Sequence, residues 1–198
     1  MSDITDITQL ILLERQGRDR GWWNQMRAAF LPESTVRLSW FTGTGPEFVA
    51  QSQDMSGRGD LSVHRLAPPA IRVHDDRAHA EASASVELRI DFDGTPAHLI
   101  SFTRLNYRLL KRDGDWGVLS LDAVYERDTL TPAVPGQTIT VDPAAVEKLR
   151  PSYPLLAFYL QRRGYPVGND LLGDDRPDDV AAFYDDTNAW LTNESRPQ

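Results

Sequence analysis

The sequence predicts an α+β fold built on an antiparallel sheet, and three observations carry that class. The amino-terminal third reads as short amphipathic helices with one interposed strand. Two Asp-Gly pairs, Asp93-Gly94 and Asp113-Gly114, each join long runs of alternating apolar and polar residues, which is the pattern of hairpins in a meander. After Leu130 a proline- and glycine-containing stretch, TPAVPGQ, gives way to residues with helical spacing of apolar side chains. The 198 residues therefore divide into a main domain over residues 1–130 and a helical carboxyl-terminal extension over 131–198.

Ser2 or Asp3 caps a first helix, in which Ile4, Ile7, Ile11 and Glu14 recur every three or four residues. Glu14 thus lies on the apolar stripe, either reaching water at its edge or aimed into a cavity. Gly17 and Gly21 bracket Arg18-Asp19-Arg20, so the helix is expected to break near Asp19. A second helix holds Trp22, Trp23, Met26, Ala29 and Phe30 and ends before Pro32. Val36 to Phe41 reads as a strand with Val36, Leu38 and Trp40 on one face. Thr44-Gly45-Pro46-Glu47 matches a capping box with proline in the first turn, which places a third helix over about Pro46 to Asp54. Met55 to Asp60 reads as a loop leading to His64.

From Ala78 to Phe92 the alternation is regular, with the alanines, Val86, Leu88 and Ile90 on one face and His79, Glu81, Glu87 and Arg89 on the other. If both Asp-Gly pairs are two-residue loops, Ala80 lies opposite Tyr107, Tyr107 opposite Ser120, and Leu105 opposite Asp122. Leu105, Tyr107, Leu109, Trp116, Val118, Ser120, Asp122 and Val124 then share the core face. Phe102, Leu110, Leu119, Leu121 and Tyr125 share the other face with His79, His98, Arg104, Asn106 and Arg108. A sheet apolar on both faces needs a partner on each, here a second copy of the chain in a homodimer or larger homo-oligomer. In the extension, Asp142-Pro143 and Ser152 with Pro154 start two helices, and a last one runs from near Pro177 to Trp190.

Composition narrows the function. A net charge of −8 argues against a nucleic-acid partner, and no apolar run approaches the roughly 20 residues of a membrane span. The acidic start MSDITDITQL lacks the marks of a signal peptide, so cytoplasmic residence is expected. With no cysteine, thiol catalysis and disulfides are excluded. His74 and His79 flank Asp75-Asp76, but His79 alternates outward and HDDR reads as a hairpin turn, so no metal site is expected. No dinucleotide fingerprint, phosphate-cradling loop or nucleophile elbow is present, and no cofactor is expected.

The stretches GRDRGWWNQMRAAFLPESTVRLSW, VHRLAPPAIRVHDDRAHAEA and YRLLKRDGDWGVLSL, in this order of elements, resemble the nuclear transport factor 2-like superfamily in its SnoaL-like branch. The resemblance covers about Asp3 to Leu130. It implies a curved sheet wrapped round the first helix to form a cone-shaped pocket. The extension, rich in tyrosine, phenylalanine and leucine, is expected to pack over the pocket rim or onto a neighbouring subunit. In scytalone-dehydratase-like and bile-acid-dehydratase-like members an aspartate after the first helix and a histidine at the start of a strand form a proton-transfer pair, and the matching positions are Asp19 and His64. Glu14 stands where those members commonly carry a tyrosine, and Leu121 near where they often carry an arginine.

The fold hosts lyases, isomerases, cyclases, hydrolases and non-catalytic binders. The expected function is that of a cofactor-independent lyase acting on a hydroxylated aromatic or polycyclic small molecule, as in aromatic compound catabolism. Dehydration and retro-aldol cleavage with release of formaldehyde use the same groups. An isomerase or cyclase, or a small-molecule binding protein, is the alternative. His64 is the expected base, since an imidazole takes a proton near neutrality, and Asp19 fixes its tautomer. The alternative for His64 is a backbone hydrogen bond at a strand start. Tyr107 or Asp122 is the expected donor to substrate oxygen, and Glu14 is a further catalytic candidate, because a core-facing carboxyl needs a partner or a function; for Asp122 the alternative is a structural hydrogen bond to Tyr107 or to a helix end. Trp40, Trp22, Leu105 and Ser120 are the expected substrate-binding positions, with core packing the alternative for the tryptophans.

Overall fold

A computed structural model describes residues 2–192, so the last six residues assigned to the extension lie outside the described residues. Helix α1 (Asp3–Arg20) starts at Ser2, whose hydroxyl accepts the Thr5 N–H, and stops at Gly21 in the left-handed region. It does not break near Asp19. Gly17 serves packing instead: a Cβ there would lie 2.9 Å from the Met26 nitrogen in α2 (Trp23–Ala28), so glycine lets the two helices meet. Phe30, expected in the second helix, opens β1 (Phe30–Leu38). Pro32 falls where the pairing of β1 shifts between Phe30 and Thr35, a place where a missing N–H is tolerated. The chain turns at Ser39 and Trp40 into β2 (Phe41–Thr44). Helix α3 (Gly45–Gly57) opens with the expected capping box of Thr44 and Glu47 and takes in part of the segment expected as loop.

Strands β3 (Ser62–Leu66) and β4 (Ala70–His74) both pair antiparallel with β5 (Arg77–Phe92). Strands β5, β6 (Thr95–Arg112) and β7 (Asp115–Pro132) form the meander. The order across the sheet is β2-β1-β7-β6-β5-β3, with β1 parallel to β7. At both Asp-Gly turns aspartate and glycine take positive φ, the geometry of a two-residue hairpin loop.

The register of β5 on β6 sets Ala80 against Tyr107 and Ala82 against Leu105, as counted. The register of β7 on β6 differs from the count. The pairing shifts between Arg108 and Leu109, so Tyr107 pairs with Leu121, Leu105 with Ala123 and Asn106 with Asp122. One inserted residue reverses the facing of everything beyond it. Ser120 and Asp122 therefore lie on the outer face, and Leu121 and Tyr125 on the concave one. The buried core joins Ile7, Ile11, Met26, Phe48 and Val49 of the helices to Leu105, Tyr107, Leu109 and Leu121 of the strands.

The extension contains α4 (Pro143–Val146), α5 (Pro154–Arg162), β8 (Leu172–Gly173) parallel to β7, and α6 (Pro177–Thr192). Ser152, expected to start α5, instead donates its hydroxyl to Asp175 at 2.7 Å. Helix α5 packs on β6 and β7, and Asp128 of β7 accepts the Leu156 N–H at 2.8 Å. Beyond α5, Tyr165 and Arg163 both donate to Asp60, at 2.9 and 2.8 Å. Helix α6 covers part of the outer face: Tyr184 donates to Glu81, and Arg108 donates to Asp186 and Thr187. Part of the surface expected to meet a second copy is thus covered by the chain's own last helix. No described helix is long and apolar enough to cross a membrane.

Candidate active site

His64 pairs with Val86, whose strand turns that position toward the concave interior, so the imidazole projects inward. Its Nδ1 lies 2.6 Å from Asp19 Oδ1, and its backbone N–H donates to Asp19 Oδ2 at 2.8 Å. Asp19 reaches this position because α1 continues through Arg20. A carboxylate only accepts, so Nδ1 carries the proton and Nε2 keeps its lone pair. Burial would raise the Asp19 carboxyl, but the His64 ring and backbone bonds outweigh it and hold the group below its ordinary value. Burial pushes the His64 imidazole down, against the pull of Asp19, and the charges of Arg15 and Arg18 push it further. His64 is therefore neutral at pH 7 and held in one orientation.

His64, with Asp19 behind it, borders a cavity of about 60 Å³. Its walls are mostly apolar: Trp40, Phe48 and Leu105 from the cone, and Leu156 and Leu160 from α5. From outside, an open groove of about 510 Å³ between α1 and β3 reaches the same two residues. Tyr125 also faces the cavity; its hydroxyl accepts the Ser39 N–H at 2.7 Å, which leaves its own proton free to donate. Burial pushes this phenol up to about 12, so at neutral pH it is a donor.

Of the sequence-derived candidates, the structure brings His64, Asp19, Trp40 and Leu105 to the cavity or to the pair beside it. Glu14 and Tyr107 lie behind the cavity rather than on its wall. Glu14 is fully buried and held by Arg15 through Nε and Nη2, and the Tyr107 hydroxyl donates to it at 3.4 Å. Its carboxylate is thus matched inside the protein. Asp122 and Ser120 sit on the outer face because of the register shift, where burial raises the Asp122 carboxyl against the charge of Arg108. Trp22 is 51% exposed, on the surface beside Trp23, because α2 starts after it and turns it from the core. Tyr125, which the uninterrupted count puts on the outer face while its aromatic ring also suits a pocket wall, faces the cavity because of the register shift. The sequence reading missed Arg15 and Arg18, both buried on the cavity wall, because nothing local marks a helical arginine as buried. Among the described residues no cluster of three or more metal-ligating side chains forms.

A curved antiparallel sheet closed by amino-terminal helices, with an aspartate–histidine pair at an interior cavity, defines a cone of the nuclear transport factor 2-like fold. Within that fold the chain belongs to the SnoaL-like domain family, which matches residues 1–122. It is 30% identical over 145 residues to an uncharacterized protein of Emericella nidulans, covering 69% of this chain and 59% of that protein. The chain spans about three fifths of the length of the curated relatives it matches. Its fold is similar to that of a scytalone dehydratase-like protein of Novosphingobium aromaticivorans, with TM-score 0.54, 16% identity, and 69% of this chain and 95% of that one covered. It is also similar to the hexachlorocyclohexane dehydrochlorinase LinA-type3 of Novosphingobium barchaimii, with TM-score 0.56, 15% identity, and 70% and 94% covered. These likenesses show the fold, one found among small-molecule lyases.

Proposed function

We propose that this protein is a cofactor-independent lyase acting on a small hydroxylated aromatic or polycyclic compound, with a place in the cytoplasmic breakdown of such compounds. The observation that carries the reading is the neutral His64, tied through Nδ1 to Asp19 at the wall of a mostly apolar cavity. His64 Nε2 takes a proton from carbon, Asp19 stabilises the resulting imidazolium, and Tyr125 donates a hydrogen bond to the oxygen where charge gathers. If a hydroxyl leaves the adjacent carbon, the imidazolium returns the proton to it, and the products are an alkene and water. If a hydroxymethyl group is the leaving unit, His64 takes the hydroxyl proton, the carbon–carbon bond breaks, formaldehyde departs and the carbanion recovers the proton. Isomerisation is the same transfer with the proton returned to a different carbon. Each route needs only groups on this chain. A screen of hydroxylated aromatic and polycyclic compounds, with mass detection of lost water or formaldehyde, tests the reading. His64→Ala should cost at least about 10²-fold in turnover of the compound found, and Asp19→Asn a similar factor in a folded protein. Near-normal rates in both variants would remove the mechanism, and binding without turnover of any compound would favour a non-catalytic small-molecule binding protein.

The homodimer belongs to the same proposal. Phe102, Leu110 and Leu119 remain half-exposed on the outer face, an apolar surface that suits a second copy. Sedimentation at micromolar concentration should give twice the 22.3 kDa chain mass; a single-chain mass would refute it.

A further inference from the structure

Arg18 sits in the last turn of α1, is 4% exposed, and lines the cavity. A guanidinium has five N–H donors and no acceptor. Among the described residues its one hydrogen bond runs from Nη2 to the Met55 thioether sulfur at 3.3 Å, a weak acceptor, and it enters no ion pair. Its neighbours are already committed. Asp19 spends one oxygen on the His64 ring and the other on the His64 backbone. Glu14 is taken by Arg15. Arg150 with Asp175, Arg104 with Glu81 and Arg108 with Asp186 are buried or half-buried arginines that have carboxylate partners, and half-buried Arg77 has the Trp190 carbonyl; Arg18 has no oxygen acceptor of either kind among the described residues. Burial and the like charge of Arg15 depress the Arg18 guanidinium to about 10, the direction expected where a cation is held without an oxygen acceptor.

We infer that Arg18 anchors a carboxylate on the ligand that enters this cavity, so that the ligand is an aromatic or alicyclic acid rather than a neutral compound. The inference rests on the cavity being the binding site proposed above, and refines that reading by naming the ligand's charge. A carboxylate presents two oxygens at the spacing of the guanidinium fork and supplies the acceptors that Arg18 lacks. Trp40, Leu105, Leu156 and Leu160 then enclose the apolar body of the acid, with His64 on the same cavity wall. A cavity of about 60 Å³ holds an acid the size of acetate as it stands, whereas a benzene ring fills one nearer 150 Å³. Aromatic acids therefore need Leu156 and Leu160 to give way.

The experiment compares acids with their neutral isosteres on the whole chain at pH 7: acetate with acetamide, and benzoate with benzamide. Affinity is read from tryptophan fluorescence and from the rise in melting temperature. The acid of at least one pair should bind the wild type at least about 10-fold more tightly than its amide, the size expected of charge-assisted hydrogen bonds. Arg18→Met and Arg18→Gln should abolish the preference, and unliganded Arg18→Met should melt no lower than wild type, because a poorly satisfied buried cation is gone. No preference in either pair, or a preference that survives in both variants, would overturn the inference. His64→Ala separates the two proposals. It should keep the preference for acids while losing turnover; if it keeps both, the lyase mechanism fails and the anchor stands.

Discussion

Burial and three side chains decide the charge on His64. Burial disfavours the imidazolium most, Asp19 favours it, and the guanidiniums of Arg15 and Arg18 repel it. The folded value therefore lies below the 6.5 of a free histidine. Between those two values the unfolded chain binds more protons than the folded one, so this histidine's contribution to stability is present above 6.5 and is lost as pH falls through the folded value. The acid limb of kcat/KM should lie below pH 6.5, and Arg18→Met, which removes a repelling charge, should move it upward. A limb above 6.5 in the wild type would mean that Asp19 outweighs burial. The pairing of Asp19 with His64 was available from the sequence through resemblance alone, since residues 45 positions apart give no local sign of contact. The environment of Glu14 was not legible, because the sequence shows that Glu14 lies on an apolar stripe but not that Arg15 folds back onto it.

At the scale of elements, hairpins, capping boxes and alternation are local and were legible: the Thr44 capping box, both Asp-Gly turns and the β5–β6 register follow from neighbouring residues. The shift at Arg108 and Leu109 leaves no mark in a single strand, because it records how two strands pair. It moved Asp122 and Tyr125 to opposite faces from those counted. Helix α5 offers an element-level test. Asp128 accepts its Leu156 N–H, yet burial raises the Asp128 carboxyl to about 6, the backbone bonds opposing only in part. A raised carboxyl adds stability that is complete below its unfolded value of 3.8 and lost as pH rises through about 6. Asp128→Asn should flatten the stability profile between those pH values by about 1–2 kcal/mol after allowance for solvent screening. An unchanged slope in thermal melts across that range would show that Asp128 does not titrate there.

For the whole molecule, the extension works on both sides of the sheet. Helix α5 walls the cavity, Tyr165 and Arg163 tie the segment behind it to Asp60, and α6 lies on the outer face. Deleting residues 132–198 should lower the melting temperature and expose the cavity to hydrophobic dyes. A truncated chain that melts like wild type and binds no dye would make the extension an independent appendage. The change of texture after Leu130 made the extension legible as a separate stretch of sequence. That it packs on the cone was legible from its tyrosines, phenylalanines and leucines, but the particular partners of α5 and α6 were not, because they lie on strands far away in the chain.

The family match ends at residue 122, while Leu156 and Leu160, which close the cavity, lie beyond it. Part of the cavity wall is thus encoded beyond the stretch that carries Asp19 and His64. Substitutions at Leu156 or Leu160 can reshape the cavity while the Asp19–His64 pair stays as it is, so a lineage can remodel one wall of the chamber and inherit the other unchanged.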